Sequence, residues 1–440
     1  MTDLEPTAQN RRSFLRQSSA ALAGAAVLPG TAAAAARTSR ALGNQTIRIA
    51  LIGCGGRGTG AAIQALSTEG EVQLVAMADA FRDRLDNSFN EISNARGERV
   101  AVPEGRKYVG FDAYRQVIDS DDVDLVILTT PPGFRPMHYE YAVQNDKHVF
   151  MEKPVAVDGP GIRRVLAATE VAKQKDLKVG VGLQRHHDVR YQETVQRIQD
   201  GAIGDIVMLR AYWNSGGVWV RPRQTGMTEM EYQMRNWYYF NWLCGDHIVE
   251  QHIHNLDVCN WVMNDYPVEA NGMGGRQVRT GIDHGEIFDH HMIEYTYANG
   301  AKMISQCRHQ PRAWSSVSEH AHGTAGSANI SGHRIEGSGG WDWRYRGDSA
   351  NPYQVEHDVL FAKLRAGEHH NEGEYGAKST MTAILGRMAT YCGKKVRWDD
   401  AINSEIALVP SAYTWDANPP SLPDGDGRYP IPTPGVTTAL

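Results

Sequence analysis

The sequence predicts an α/β protein of two domains. An N-terminal doubly wound parallel sheet is followed by an α+β domain whose large open sheet is mostly antiparallel. Three observations carry this expectation. Short apolar runs alternate with helical stretches up to Leu183; the pattern changes to strand-like alternation after Gly201; and 440 residues exceed what one hydrophobic core holds.

The first half is read from its runs. Residues 47–53, 71–79, 123–130, 147–152 and 177–183 are apolar stretches of strand length, continuous as in a sheet covered on both faces. Between them, TGAAIQALS, YRQVID and HYEYAVQND have helical spacing. After the helical stretch 191–201, closed by Gly201 and Gly204, the segments 205–213, 288–300, 301–309 and 320–331 alternate like antiparallel strands. Asn299-Gly300 is a strong hairpin signal between two of them. One long helix is expected over 245–263, and the proline-rich tail from Pro410 is expected to be extended.

Composition narrows the partners. With 45 basic and 51 acidic side chains the net charge is −6, and without a Lys/Arg block there is no footprint for nucleic acid. The five cysteines stand singly, so buried thiols are expected rather than a metal or disulfide framework. Arg11-Arg12-Ser13-Phe14-Leu15-Arg16 has the form of a twin-arginine signal, with a small-residue stretch at Ala32–Ala36 suited to cleavage near Arg37. The apolar run is too weak to span a membrane, and no cysteine offers a lipid anchor. Export of the folded chain through the twin-arginine translocon, to the periplasm or another extracytoplasmic space, is therefore expected.

Gly53, Gly55, Gly56 and Gly58, with Arg57 between the last two, fit G-x-G-x-x-G at the junction of a strand and a helix. Glycines there permit a tight turn and close backbone approach, and the helix N-terminus favours a pyrophosphate. Asp79 ends the second strand, placed to accept from ribose hydroxyls and to repel a 2′-phosphate. NAD is expected over NADP, with Arg57 as a possible phosphate ligand.

The segment 151–158 leaves a strand at the edge where doubly wound folds bind ligands, presenting Glu152 and Lys153 before Pro154. On the long helix, Glu250 and His254 are i and i+4, able to pair as a carboxylate orienting an imidazole base, and Asp257 follows on the same face. His247, Glu250 and His254 also have ligand types at helical spacing, as a metal site would need.

The segments GCGGRG, TTPPGFRPMH, MEKPVAVD, GLQRHHD and EQHIHNLD together resemble the Gfo/Idh/MocA oxidoreductases, from about Thr46 to beyond Trp398. The resemblance implies an NAD(P)-binding Rossmann domain over 46–183 and a catalytic α+β domain over 184–409, between an arm (37–45) and the tail (410–440). It implies Lys153 as the family lysine and Glu250 with His254 as the family's acid–histidine pair. The resemblance needs no metal, so none is expected at His247, Glu250 and His254. Thr130, Pro131 and His138 fall in the nicotinamide-side loop, and Arg185 in the substrate pocket. Two departures are the Glu250 carboxylate, where many members have Asp, and His252, where they have Gly.

Asn236 lies in an aromatic and amide-rich stretch, 234–247, suited to a sugar ring; with His247, His252 and Asp257 it completes the expected substrate contacts. The resemblance implies hydride transfer with a sugar, polyol or glycoside. An exported enzyme would have to keep its coenzyme bound. Two chemistries satisfy that: oxidoreduction of paired sugar substrates, or redox-neutral glycoside cleavage assisted by His247, His252, Tyr238 or Tyr239. A non-catalytic carbohydrate-binding role has no use for a proton relay. An open sheet makes a homo-oligomer the expected assembly.

Overall fold

The computed structural model describes residues 41–439. The expected signal segment (1–36) and the first four residues of the following arm (37–40) lie outside the described residues. The first sheet contains β1 (Ile47–Ile52), β2 (Val72–Asp79), β3 (Lys107–Val109), β4 (Leu125–Leu128), β5 (His148–Met151) and β6 (Val179–Val181). All pairings are parallel, in the order β3-β2-β1-β4-β5-β6. Five of these strands were expected. The sixth, β3, is three residues at the edge, too short to show a period.

Helices α1 (Gly56–Ala65), α2 (Arg82–Arg96), α3 (Ala113–Ile118), α4 (Arg135–Gln144) and α5 (Gly159–Gln174) cover the sheet. The order reverses between β1 and β4, and this opens a crevice at the carboxyl ends of the strands.

After α6 (Val189–Gln199) the second sheet runs β14-β13-β12-β11-β7-β10-β9-β8-β15. Its members are β7 (Ile206–Ser215), β8 (Glu269–Gly275), β9 (His290–Thr296), β10 (Lys302–His309), β11 (Ser316–Gly323), β12 (Gly326–Asn329), β13 (Arg334–Gly337), β14 (Asp342–Arg344) and β15 (Val396–Arg397). Only β7 and β10 pair in parallel. The β9–β10 hairpin turns at Asn299-Gly300, where Gly300 has φ +89°.

Between β7 and β8 lie α7 (Glu229–Arg235), α8 (Asn241–Cys244), α9 (His247–Glu250) and α10 (Ile253–Met263). The long helix expected over 245–263 is thus broken at Gln251-His252. In a continuous helix the Glu250 carbonyl would accept from the His254 N–H. Here it accepts from the Lys153 ammonium at 2.6 Å, and the His254 N–H turns to the Gln251 carbonyl.

The division into consecutive domains also needs amendment. α11 (Pro352–Ala366) returns from the second half to the first sheet, burying Leu360, Phe361 and Leu364 beside Ile49, Leu51 and Phe150. Each such side chain contributes about 1.5–3 kcal/mol of apolar burial, so the first core is incomplete without them. α12 (Gly373–Cys392) is buried on almost every side, and α13 (Trp398–Ile402) precedes the extended tail. All five cysteines are buried and free.

Candidate active site

A cavity of about 700 Å³ follows the crevice from the glycine turn to the second sheet. Its first part is backbone. Gly53 has φ +99°, and a Cβ there would meet the Thr130 nitrogen at 2.5 Å. A Cβ at Gly58 would strike the Gly53 oxygen at 2.0 Å, so this glycine sets how closely α1 packs on β1. Cβ atoms at Gly55 and Gly56 would meet nothing; their open backbone faces the groove. No side chain caps α1, leaving its first N–H groups to a ligand.

Asp79 is fixed by two backbone donors, the Cys54 N–H to Oδ2 at 2.6 Å and the Phe81 N–H to Oδ1 at 2.8 Å. Burial raises its pKa against those bonds. Arg57 turns away from Asp79's end of the groove. Its Nε lies 2.7 Å from Glu152 Oε1, and its guanidinium stacks on Tyr353. Its charge is committed to Glu152.

Thr130, Pro131 and His138 line the middle of the cavity. Thr130 Oγ1 lies 3.3 Å from His138 Nδ1, and the imidazole stacks on Tyr114 and Phe134. Burial, with Arg135 adding to it, lowers the His138 pKa to about 3, so the ring is neutral. Arg135 was not singled out from sequence. Wholly enclosed, it donates to the Thr130 carbonyl at 2.7 Å and the Glu152 carbonyl at 2.9 Å, tying the two loops together.

Lys153, Glu250 and His254 meet at the far end. Lys153 Nζ donates to the Glu250 carbonyl and, at 3.1 Å, to Oε1 of the same residue. Glu250 therefore holds the lysine; the expected bond between its carboxylate and His254 is not formed. His254 stacks on Trp213, its Nδ1 buried without a partner. Burial first, then the charges of Lys153 and Arg185, hold its pKa well below the imidazole value, so it is a neutral proton acceptor.

Of the expected substrate contacts, Arg185 lines the cavity, but its guanidinium is bonded to buried Glu319. The other four line no part of the cavity. Asn236 binds the Arg221 N–H and the Asp283 carbonyl, both at 2.8 Å. His252 reaches Ser305 Oγ at 2.7 Å. Asp257 accepts from Ser379 at 2.7 Å and pairs with His186 at 2.9 Å. His247 lies against Asp246 and His291. For His247, His252 and Asp257 the physical reason is shared: α9 is wholly buried and α10 nearly so, which turns their polar groups to the interior, while Asn236 is enclosed at the end of α7. Tyr238 is likewise enclosed, and Tyr239 donates to the Trp219 carbonyl. The cavity uses Gln251, Trp213, Trp219, Trp237 and Arg221 instead, none with a spacing that would mark it.

A third hydrophobic cluster packs against the wall of the groove. It joins residues 218–244 to the tail, including Leu408, Tyr413, Trp415 and Tyr429. Trp415 packs 5.1 Å from Phe81 and 4.5 Å from Phe111, both on the cavity wall. From the other side, Arg235 reaches Asp83 at 3.2 Å and lies over Phe81 at 4.1 Å.

A glycine-turn groove with an acid at the end of the second strand, and a lysine and a neutral imidazole at the far end, fits a dinucleotide-dependent oxidoreductase. The chain belongs to the Gfo/Idh/MocA family. Residues 47–183 match its NAD-binding Rossmann fold and 191–329 its C-terminal domain, together more than half the chain. It is 25% identical over 290 residues to an inositol 2-dehydrogenase of Rhizobium meliloti (strain 1021), covering 66% of this chain and 77% of that protein.

Solved structures share the fold. Aldose-aldose oxidoreductase from Caulobacter crescentus aligns with TM-score 0.62 at 19% identity, over 80% of this chain and all of that one. Scyllo-inositol dehydrogenase from Lactobacillus casei, with bound NAD(H) and scyllo-inositol, gives TM-score 0.62 at 19% identity over 81% of this chain and all of that one. The residues present fit NAD: open backbone at Gly55 and Gly56, uncapped N–H groups on α1 and an acid rather than a cation at the ribose position.

Proposed function

We propose that this protein is an exported oxidoreductase that keeps NAD bound and exchanges hydride with a sugar, polyol or glycoside. One observation carries the reading: Lys153 and His254, from different segments, share the wall of the cavity that begins at the glycine turn. Bound NAD supplies the hydride acceptor. Lys153, held by Glu250, donates a hydrogen bond to the reacting oxygen, and neutral His254 takes the hydroxyl proton as the carbon is oxidised.

The packing of 218–244 and the tail against the cavity wall supports retention of the coenzyme, which an enzyme working away from cytoplasmic NAD would need. Export is supported by the Arg11-Arg12 segment. Self-association is supported by the second sheet's exposed Met273 and Met292, paired neighbours on one face.

A second reading, redox-neutral glycoside cleavage by oxidation, elimination, hydration and re-reduction, is favoured by Glu250 Oε2. This buried carboxylate oxygen has no partner and is available as the additional base.

The test is to release and identify the coenzyme from native protein, then offer sugars, polyols and aryl glycosides to the intact holoenzyme. Stoichiometric reduction of bound NAD supports the first reading, and net hydrolysis with no net reduction supports the second. Absence of bound nicotinamide, with no spectral change on any of these compounds, overturns both.

A further inference from the structure

Behind the catalytic end, outside the cavity, lies a second cluster of titratable groups. Asp246 and His247 open α9, and His291 projects from β9; all three are wholly buried. One oxygen or nitrogen from each lies within 4.8 Å of the others. His247 Nδ1 is 2.7 Å from Asp246 Oδ1, and His291 Nε2 is 3.3 Å from Asp246 Oδ2.

These close approaches lack hydrogen-bond alignment. His247 Nδ1 and Nε2 and His291 Nε2 are buried without a hydrogen-bond partner. A buried polar atom left unpaired costs about 1–3 kcal/mol, and one nitrogen from each of the two rings, beside the Asp246 carboxylate, can share a single partner. Ligand atoms around a tetrahedral ion with bonds of about 2.0–2.1 Å stand roughly 3.3–3.4 Å apart, which small side-chain shifts would reach here.

The surroundings suit that use. His291 Nδ1 is 2.9 Å from Thr390 Oγ1, which fixes the ring and leaves Nε2 toward Asp246. Asp246 Oδ2 accepts from Tyr391 and, at 3.0 Å, from the Phe288 N–H. Such outer bonds orient first ligands in metal sites. His309 packs 4.4 Å from His247, ring to ring, and its own Nε2 has no partner.

We propose that Asp246, His247 and His291 bind a divalent transition-metal ion of the zinc type. The donor set, two imidazoles and one carboxylate, suits zinc, cobalt or nickel rather than calcium or magnesium. The site would be structural. It would pin the start of α9, the short helix that ends on Glu250, to β9 of the second sheet, and so hold the residue that positions Lys153.

The test uses the full chain produced with zinc supplied during expression. Elemental analysis is expected to find about one zinc per chain after dialysis. Chelation should lower the melting temperature, with zinc restoring it, and cobalt reconstitution should give the visible absorption of a four-coordinate nitrogen–oxygen site. His291→Gln should lower metal content while NAD remains bound. Metal below about a tenth of an equivalent in the wild-type protein, with no thermal shift on adding zinc or chelator, overturns the proposal whether or not the variant folds. Unchanged metal content in His291→Gln would also overturn it, because the ion would then lie elsewhere.

Discussion

Lys153 and Glu250, ninety-seven residues apart, are joined twice: the ammonium donates to the carbonyl at 2.6 Å and to the carboxylate at 3.1 Å. The pair links the end of the first sheet to the broken helix of the second lobe. Its two bonds have separable roles, because a side-chain substitution at Glu250 leaves the carbonyl in place.

Lys153→Ala and His254→Ala should each slow reduction of bound NAD by about 10²–10⁴-fold, the usual contribution of positioned acid–base groups. Glu250→Gln keeps the carbonyl contact and should cost less than either. Single-turnover absorbance with the best substrate, beside circular dichroism, checks this. Full activity in Lys153→Ala or His254→Ala would remove the catalytic assignment.

Acid should destabilise the fold from an ordinary imidazole pKa downward. Burial lowers His138 and His252 to about 3 and holds His254 and His357 well below the usual value. Below about pH 6.5 the unfolded chain binds protons that these folded rings refuse, so stability falls as pH falls, by about 1.4 kcal/mol per pH unit for each group. For His138 and His252 the loss continues to about pH 3. His186 works in the opposite sense: Asp257 outweighs its burial and raises it, so its contribution is present in acid and lost as pH rises. Thermal melts between pH 8 and 5 should show a falling midpoint, and a rising one would contradict the neutral state of the buried rings.

Asp79→Asn should weaken NAD by about tenfold, roughly 1.4 kcal/mol, and NADP less, since the change removes a charge that repels a 2′-phosphate. An amide offers one acceptor oxygen where the carboxylate serves both the Cys54 and Phe81 N–H groups, so some stability should be lost too. Calorimetry on coenzyme-free protein measures the ratio. Equal losses for the two dinucleotides would mean that Asp79 does not read the ribose.

Trp415→Ala should speed release of bound NAD. The indole packs on Phe81 and Phe111, and each aromatic pair contributes about 0.5–1.5 kcal/mol, so roughly ten- to hundredfold faster exchange is expected. Exchange of labelled NAD into holoenzyme checks this, and an unchanged rate would separate the tail from retention.

The coenzyme half of the site was legible because its signals are local. Gly53 to Gly58, Asp79 and Lys153 each sit at the end of a buried strand, and strand ends can be read from short apolar runs. Glu250 and His254 were legible as residues but not as a pair, because the helix breaks where a lysine from another segment takes its carbonyl. His252 and Asp257 were misread because α10 is enclosed on nearly every side, leaving no polar face to distinguish a ligand-binding group from an internal bond; Asn236, at the end of α7, is enclosed in the same way. Trp415 was invisible for another reason: the proline-rich tail has no period, and only its packing shows its use.

The return of Pro352–Ala366 to the first sheet bears on how such a protein can be recombined. Anyone exchanging the substrate-facing lobe for that of a relative at the seam after Leu183 would strip Leu360, Phe361 and Leu364 from the nucleotide lobe and leave it with an open flank. A chimera would have to carry this returning helix with the nucleotide lobe, as a discontinuous cassette.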